Sequence, residues 1–224
     1  MPLLPRIERD SAPHPSAAVI WLHGLGADGH DFANLLPELD LRGCAAIHFV
    51  FPHAPEMPVT INGGYRMPAW YDILGANLEQ RQDRAGIEHS QRAIQALIEH
   101  EIARGIAAEH IVLAGFSQGC AMALHTALRL PYRLAGVIGL SGYLPLAESL
   151  LQERHSANAN TPIFLGHGTH DPVVLPAWGS GTRDALQALG YPVQWHSYPM
   201  EHSLHPQEIA DLSRFLQQVL PAAQ

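Results

Sequence analysis

Ala17–Leu22 (AAVIWL) is an unbroken apolar run ended by His23-Gly24, and runs of this kind recur along the chain with helical stretches between them. They appear at 45–51 (AAIHFVF), 110–114 (HIVLA), 135–140 (AGVIGL) and 162–166 (PIFLG), and Val193–Tyr198 closes the series. A strand that is apolar on both sides has to be covered on both faces, as in a parallel sheet. The intervening segments fit this. Residues 83–104 carry Ile87, Ala93, Ile94, Leu97 and Ile98 near helical spacing, and 118–130, 176–189 and 206–219 read as further helices. Pro131 stops one of them, Gly190 closes another, and Pro206 opens the last. The expected architecture is α/β: a mostly parallel central sheet with helices on both faces. Ligands of such sheets bind at the carboxyl ends of the strands, so the loops that follow strands are where chemistry is expected.

The length of 224 residues fits one domain, 1–224, and no repeat or linker divides it. A formal net charge of -8 with no basic run argues against nucleic acid or an anionic membrane surface as partner. Cys44 and Cys120 are the only cysteines, so no disulfide framework is implied and a reducing compartment is favoured. The first ten residues, MPLLPRIERD, are too poor in apolar residues for a signal peptide, and no window is long and apolar enough for a membrane span. The expectation is a cytoplasmic protein without stable membrane insertion.

Gly115-Phe116-Ser117-Gln118-Gly119 lies between the HIVLA strand and a helix. In that setting G-x-S-x-G is a nucleophile elbow: a sharp turn lifts the serine above the sheet edge, and the glycines allow strand and helix backbones to approach closely. Gly139-Leu140-Ser141-Gly142-Tyr143 comes close but has Tyr at the last position. A serine nucleophile needs a base, and the base needs an orienting acid. In the α/β-hydrolase fold they follow in the order Ser, Asp or Glu, His.

His125, His155, His167, His170, His196, His202 and His205 all follow Ser117. Only His202 and His205 fall between the last strand and the last helix, where the base belongs. His202 is the chosen base, and His205 is read as the cap of the helix that Pro206 opens. Asp171 follows the PIFLG strand and is the chosen acid, against a turn-forming role before Pro172. Asp184 and Asp211 fall inside helices, and Glu148, Glu153 and Glu208 read as solvated helix charges. Backbone N–H groups of Gln118 and of Leu25, in the Gly-rich loop His23–Gly29, are the expected oxyanion hole, each worth roughly 3 kcal/mol to the transition state. That loop lacks the Gly-Lys-Ser/Thr ending of a phosphate cradle.

The stretches WLHGLGADGHDF, FPHAP, NGGYRMPAWYDI, IVLAGFSQG, LSGYLP, HGTHDPVV and YPMEHSLHPQEI run in order from residue 21 to about 209. Together they resemble the carboxylesterase and acyl-protein thioesterase family, the phospholipase/carboxylesterase branch of the α/β hydrolases, and bacterial esterases most of all. The resemblance implies hydrolysis of short- to medium-chain carboxylic esters by Ser117, Asp171 and His202, with Leu25 and Gln118 as oxyanion donors. It implies no metal; no cofactor is expected, and no long amphipathic lid is evident in the sequence, so no large lid domain is expected. Some members act on thioesters or lysophospholipids, and some are homodimers. Cys120 departs from the small Gly or Ala expected after the elbow, and Glu201 beside His202 is a second variable point.

In the excursion 52–82, the segment MPAWYDIL is expected to flank the acyl pocket through Trp70 and Leu74, with Phe116, Val173 and Val174 completing it. The competing role for Trp70 and Tyr71 is ordinary core packing. Two other functions compete with the esterase. One is a metal hydrolase built on His167, His170, Asp171, His202 and His205, although no H-E-x-x-H is present. The other is a binding protein on an inactive hydrolase scaffold.

Overall fold

The structure is a computed structural model that describes residues 2–77 and 82–223; the last part of the 52–82 excursion, 78–81, lies outside the described residues. In chain order the elements are β1 (Arg6–Asp10), β2 (Ala17–Leu22), α1 (His30–Ala33), β3 (Ile47–Pro52), β4 (Glu56–Val59), β5 (Tyr65–Pro68) and α2 (Arg84–Ala103). They continue as β6 (Ile111–Phe116), α3 (Gln118–Ala127), β7 (Gly136–Leu140), α4 (Ala147–Glu153), β8 (Ile163–Gly168), α5 (Pro176–Ala188), β9 (Val193–Tyr198) and α6 (Pro206–Val219).

Seven strands form one sheet in the order β1-β3-β2-β6-β7-β8-β9. All neighbours are parallel except β1, which pairs antiparallel with β3 from Arg6↔Pro52 to Asp10↔His48. The strand alternation sorts side chains onto two cores. Ala18, Ile20 and Leu22 of β2 face one side with Ile111 and Leu113 of β6, under α2 and α3. Ala17, Val19 and Trp21 face the other with Val112 and Ala114, under Phe32 of α1 and Leu212, Phe215 and Leu216 of α6. Both faces are thus covered, as the apolar runs require. This is the α/β-hydrolase arrangement, and among the described residues no lid domain stands over the strand ends.

Helix starts follow local chemistry. Asp83 caps α2 by accepting from the Gly86 N–H at 3.0 Å. At α6, Pro206 occupies the first turn and His205 Nδ1 accepts from the Gln207 N–H at 3.1 Å, the capping role expected of it. The excursion after β3 contains the hairpin β4–β5, with Gly63 and Gly64 at positive φ in its turn.

Candidate active site

The elbow is made by two close approaches. A Cβ on Gly115 would lie 2.1 Å from the Gly119 carbonyl oxygen, and one on Gly119 would lie 2.2 Å from that of Leu22. Any side chain at either position would force α3 away from β6 and β2. Between them Ser117 takes φ 55° and ψ -116°, a conformation costing about 1–3 kcal/mol that the surrounding packing has to enforce. Its N–H donates to the Leu140 carbonyl at 2.8 Å, which ties the turn to the end of β7.

Three loops deliver their residues to this point. His202, after β9, sets Nε2 3.0 Å from Ser117 Oγ and Nδ1 2.7 Å from Asp171 Oδ2. Asp171, after β8, is buried, and its other oxygen accepts from the Val173 and Val174 N–H groups at 2.8 and 2.9 Å. With Oδ1 so held, Oδ2 is aimed at the imidazole and favours the tautomer with the proton on Nδ1. Nε2 is then the acceptor for the Ser117 hydroxyl proton. The His202 ring packs against Phe116, centroids 4.8 Å apart.

Ser117, 9% exposed, opens onto a cavity of about 410 Å³ also lined by Gly24, Leu25, Phe116, Gln118 and Tyr143. Gln118 is the first residue of α3, so its N–H has no acceptor within the helix and points toward the helix N-terminal end. Leu25 sits in the turn after β2, and the Gly26 N–H is tied to the Pro68 carbonyl at 2.8 Å.

The expected substrate residues divide. Phe116, Val173 and Val174 line the cavity. Trp70 does not: it is 2% exposed, its indole N–H donates to the His23 carbonyl at 2.9 Å, and its role is the core-packing one. Leu74, 49% exposed, also lies outside the lining. The excursion contributes Ile61, Asn62, Tyr71 and Ile73 instead. Glu208 is a further correction. It is 0% exposed rather than solvated, because α6 turns its first turn onto β8.

Several supporting residues were invisible at the level of pattern. Gln118 spans two backbone groups of the excursion: its Oε1 accepts from the Trp70 N–H at 2.9 Å and its Nε2 donates to the Tyr71 carbonyl at 2.7 Å. His23 is kept neutral by burial, which lowers its pKa. Its Nε2 accepts from the Ala54 N–H at 3.0 Å and its Nδ1 donates to the Gly24 carbonyl at 2.7 Å, fixing the loop that carries Leu25. Burial also lowers the pKa of His167, whose Nε2 reaches the Val174 carbonyl at 2.8 Å behind Asp171. Of the histidines weighed for a metal, His202 serves Ser117, His167 backs Asp171 and His205 caps α6. Among the described residues no group of three or more His, Cys, Asp or Glu side chains is placed to hold a metal ion.

The chain matches the phospholipase/carboxylesterase family over residues 4–220. It is 40% identical to the acyl-protein thioesterase 1 of Debaryomyces hansenii, over 97% of this chain and 98% of that one. Among solved structures it is similar to Zea mays acyl-protein thioesterase 2, with a TM-score of 0.83, 31% identity, and 95% and 98% of the two chains covered. The Bacillus cereus carboxylesterase shares the fold at a TM-score of 0.74 and 18% identity, over 96% and 94% of the chains.

Proposed function

Because this chain belongs to the phospholipase/carboxylesterase family, a family of esterases and acyl-protein thioesterases, we propose that it is a carboxylesterase that cleaves short- to medium-chain esters through an acyl-enzyme on Ser117. The observation that carries this reading is the continuous relay from Asp171 Oδ2 to His202 at 2.7 Å and from His202 Nε2 to Ser117 Oγ at 3.0 Å. His202 takes the hydroxyl proton as Ser117 Oγ attacks the acyl carbon. The oxyanion so formed receives the N–H groups of Gln118 and Leu25. His202 then passes its proton to the departing alkoxide, leaving the acyl group on Ser117. Water repeats the sequence: it attacks the acyl carbon and gives one proton to His202, and the carboxylic acid leaves with the other as Ser117 recovers the first; the acid then ionises in solvent. Asp171 Oδ2, 2.7 Å from Nδ1, stabilises the imidazolium.

Chain length follows from the cavity. Its apolar lining by Ile61, Ile73, Phe116 and Val174 suits an acyl chain, and its modest volume suits a short one. A thioesterase acting on acylated protein is the second reading, favoured by the names of the relatives at about 40% identity. The chemistry is the same with a thiolate leaving group. We further read residues 1–224 as one catalytic domain acting in the cytoplasm on small acyl substrates. None of its described helices is long and apolar enough to cross a membrane. A panel of p-nitrophenyl esters from acetyl to palmitoyl, run beside an S-acyl peptide and a lysolipid, tests the proposal. An optimum at butyryl to octanoyl esters supports it. An optimum at palmitoyl, or turnover of the S-acyl peptide far above every ester, overturns the short-chain carboxylesterase reading.

A further inference from the structure

Asp171 lies on the loop between β8 and α5, and its aim at His202 depends on how that loop is held. The first half of the loop is pinned to the His202 side of the sheet. The Thr169 N–H donates to the Tyr198 carbonyl at 2.8 Å, and the His170 N–H to the Met200 carbonyl at 3.1 Å. The second half carries the grip on Asp171 itself, since Oδ1 accepts from the Val173 and Val174 N–H groups at 2.8 and 2.9 Å. One buried side chain ties this second half back to β8. His167, near the end of that strand, sets Nε2 2.8 Å from the Val174 carbonyl oxygen. A carbonyl only accepts, so Nε2 carries the proton and donates it. Burial keeps the ring neutral by lowering its pKa, which leaves Nδ1 bare.

The ring sits in a slot that fits it closely. A Cβ on Gly179 of α5 would lie 2.3 Å from His167 Nδ1, so the helix presents bare backbone to the ring there. Trp195 of β9 stacks alongside, with centroids 6.2 Å apart. The Nε2–H is therefore held on the Val174 carbonyl from both sides. Asp171 Oδ2 is 3.6 Å from Nε2, beyond hydrogen-bond reach, so the hold on Asp171 runs through Val174.

On the serine-hydrolase reading above, we propose that His167 is a positioning residue: its bond to Val174 holds the loop that aims Asp171 Oδ2 at His202. The chain of contacts runs from the His167 N–H to the Val174 carbonyl, and from the Val174 N–H to Asp171 Oδ1. It continues from Asp171 Oδ2 to His202 Nδ1 at 2.7 Å and from His202 Nε2 to Ser117 Oγ at 3.0 Å. His167 is absent from the cavity lining, so it acts on the relay and not on bound substrate. Without its bond the Val174 peptide is free to tilt, and the carboxyl it holds swings with it.

The test measures kcat and KM for p-nitrophenyl butyrate in His167→Leu and His167→Gln, with folding followed by circular dichroism. Leucine fills the slot without a donor, whereas glutamine places an amide N–H where the ring Nε2–H stood. A misplacement of about 1 Å costs up to roughly 100-fold, so His167→Leu should lower kcat about 10–100-fold with KM within about threefold. His167→Gln should recover most of that loss. The downfield NMR line of the His202 Nδ1 proton should weaken in His167→Leu and return in His167→Gln. An unchanged kcat, a loss confined to KM, or equal kcat in the two variants overturns the proposal. Should His167→Leu fail to fold, Gly179→Ala takes its place, because its Cβ displaces the ring and leaves His167 intact. The same fall in kcat is then expected, and wild-type kcat overturns the proposal. In the wild type, nitrogen NMR shifts of the ring should report the proton on Nε2, and a proton on Nδ1 overturns it as well. A wild type whose Ser117 takes no fluorophosphonate removes the hydrolase reading itself. A labelled wild type with unaltered His167→Leu kinetics removes only the role of His167.

Discussion

Replacing Gln118 by Ala separates two functions of one residue. Its backbone N–H belongs to the expected oxyanion hole and survives the substitution. Its side chain is a strut, with Oε1 2.9 Å from the Trp70 nitrogen and Nε2 2.7 Å from the Tyr71 carbonyl, and both partners are buried. Alanine leaves one donor and one acceptor unsatisfied. Each such group costs about 1–3 kcal/mol, and water entering the vacated space recovers part of it, so a loss of roughly 2–4 kcal/mol is expected. For a chain of this size that lowers Tm by roughly 5–15 °C. Gln118→Glu should be no better: it keeps the acceptor for Trp70 but sets an oxygen against the Tyr71 carbonyl. Differential scanning calorimetry at pH 7, with the urea midpoint as a second measure, reads the effect. The folded fraction should retain far more turnover than Ser117→Ala. A Tm within about 1 °C of the wild type would refute the reasoning that this strut fixes the excursion to the elbow.

Further outcomes follow from the same geometry. Asp171→Asn should lower kcat roughly 10⁴-fold with KM and Tm little changed, because an amide favours the wrong tautomer of His202; p-nitrophenyl butyrate kinetics check it. Glu208 holds its proton more tightly folded, near 8, than its ordinary value of 4.5, so unfolding releases the proton and stability falls as pH rises through that window. By pH 7 this component has lost roughly 3 kcal/mol, and urea midpoints of Glu208→Gln should lack it. Burial pushes the Cys120 thiol up to about 12 while Cys44 is only half-buried, so a disulfide-exchange reagent should modify Cys44 alone in the native protein, read by mass spectrometry.

What the sequence carries depends on how local the determinant is. Apolar runs are set by burial on both faces, and β2 and β9 match the expected Ala17–Leu22 and Val193–Tyr198. At 110–114 the expected strand falls short, because β6 runs on to Phe116 at the elbow itself. β1 is hidden because RIERD is an edge strand with a mostly exposed face and no apolar rhythm to read. The residues Ser117, Asp171 and His202 are legible from strand–loop position and chain order, which the fold fixes. Trp70 was not, because a buried indole with a backbone partner and a pocket-facing indole look alike in sequence. Ile61 and Ile73 reach the cavity through the path of the excursion, which no periodicity encodes. Glu208 looks like any first-turn glutamate on a helix. Only the bare backbone of Gly166 in β8, facing it across space, discloses that its carboxyl is enclosed.

Ser117 is the residue on which the proposed chemistry depends most directly. Incubating the native protein with a fluorophosphonate and sequencing the modified peptide by mass spectrometry, beside p-nitrophenyl butyrate turnover of Ser117→Ala, measures it. The predicted result is one adduct, on Ser117, and residual turnover in Ser117→Ala at least about 10³-fold below the wild type with Tm preserved. Labelling elsewhere, or undiminished turnover in folded Ser117→Ala, would contradict the account.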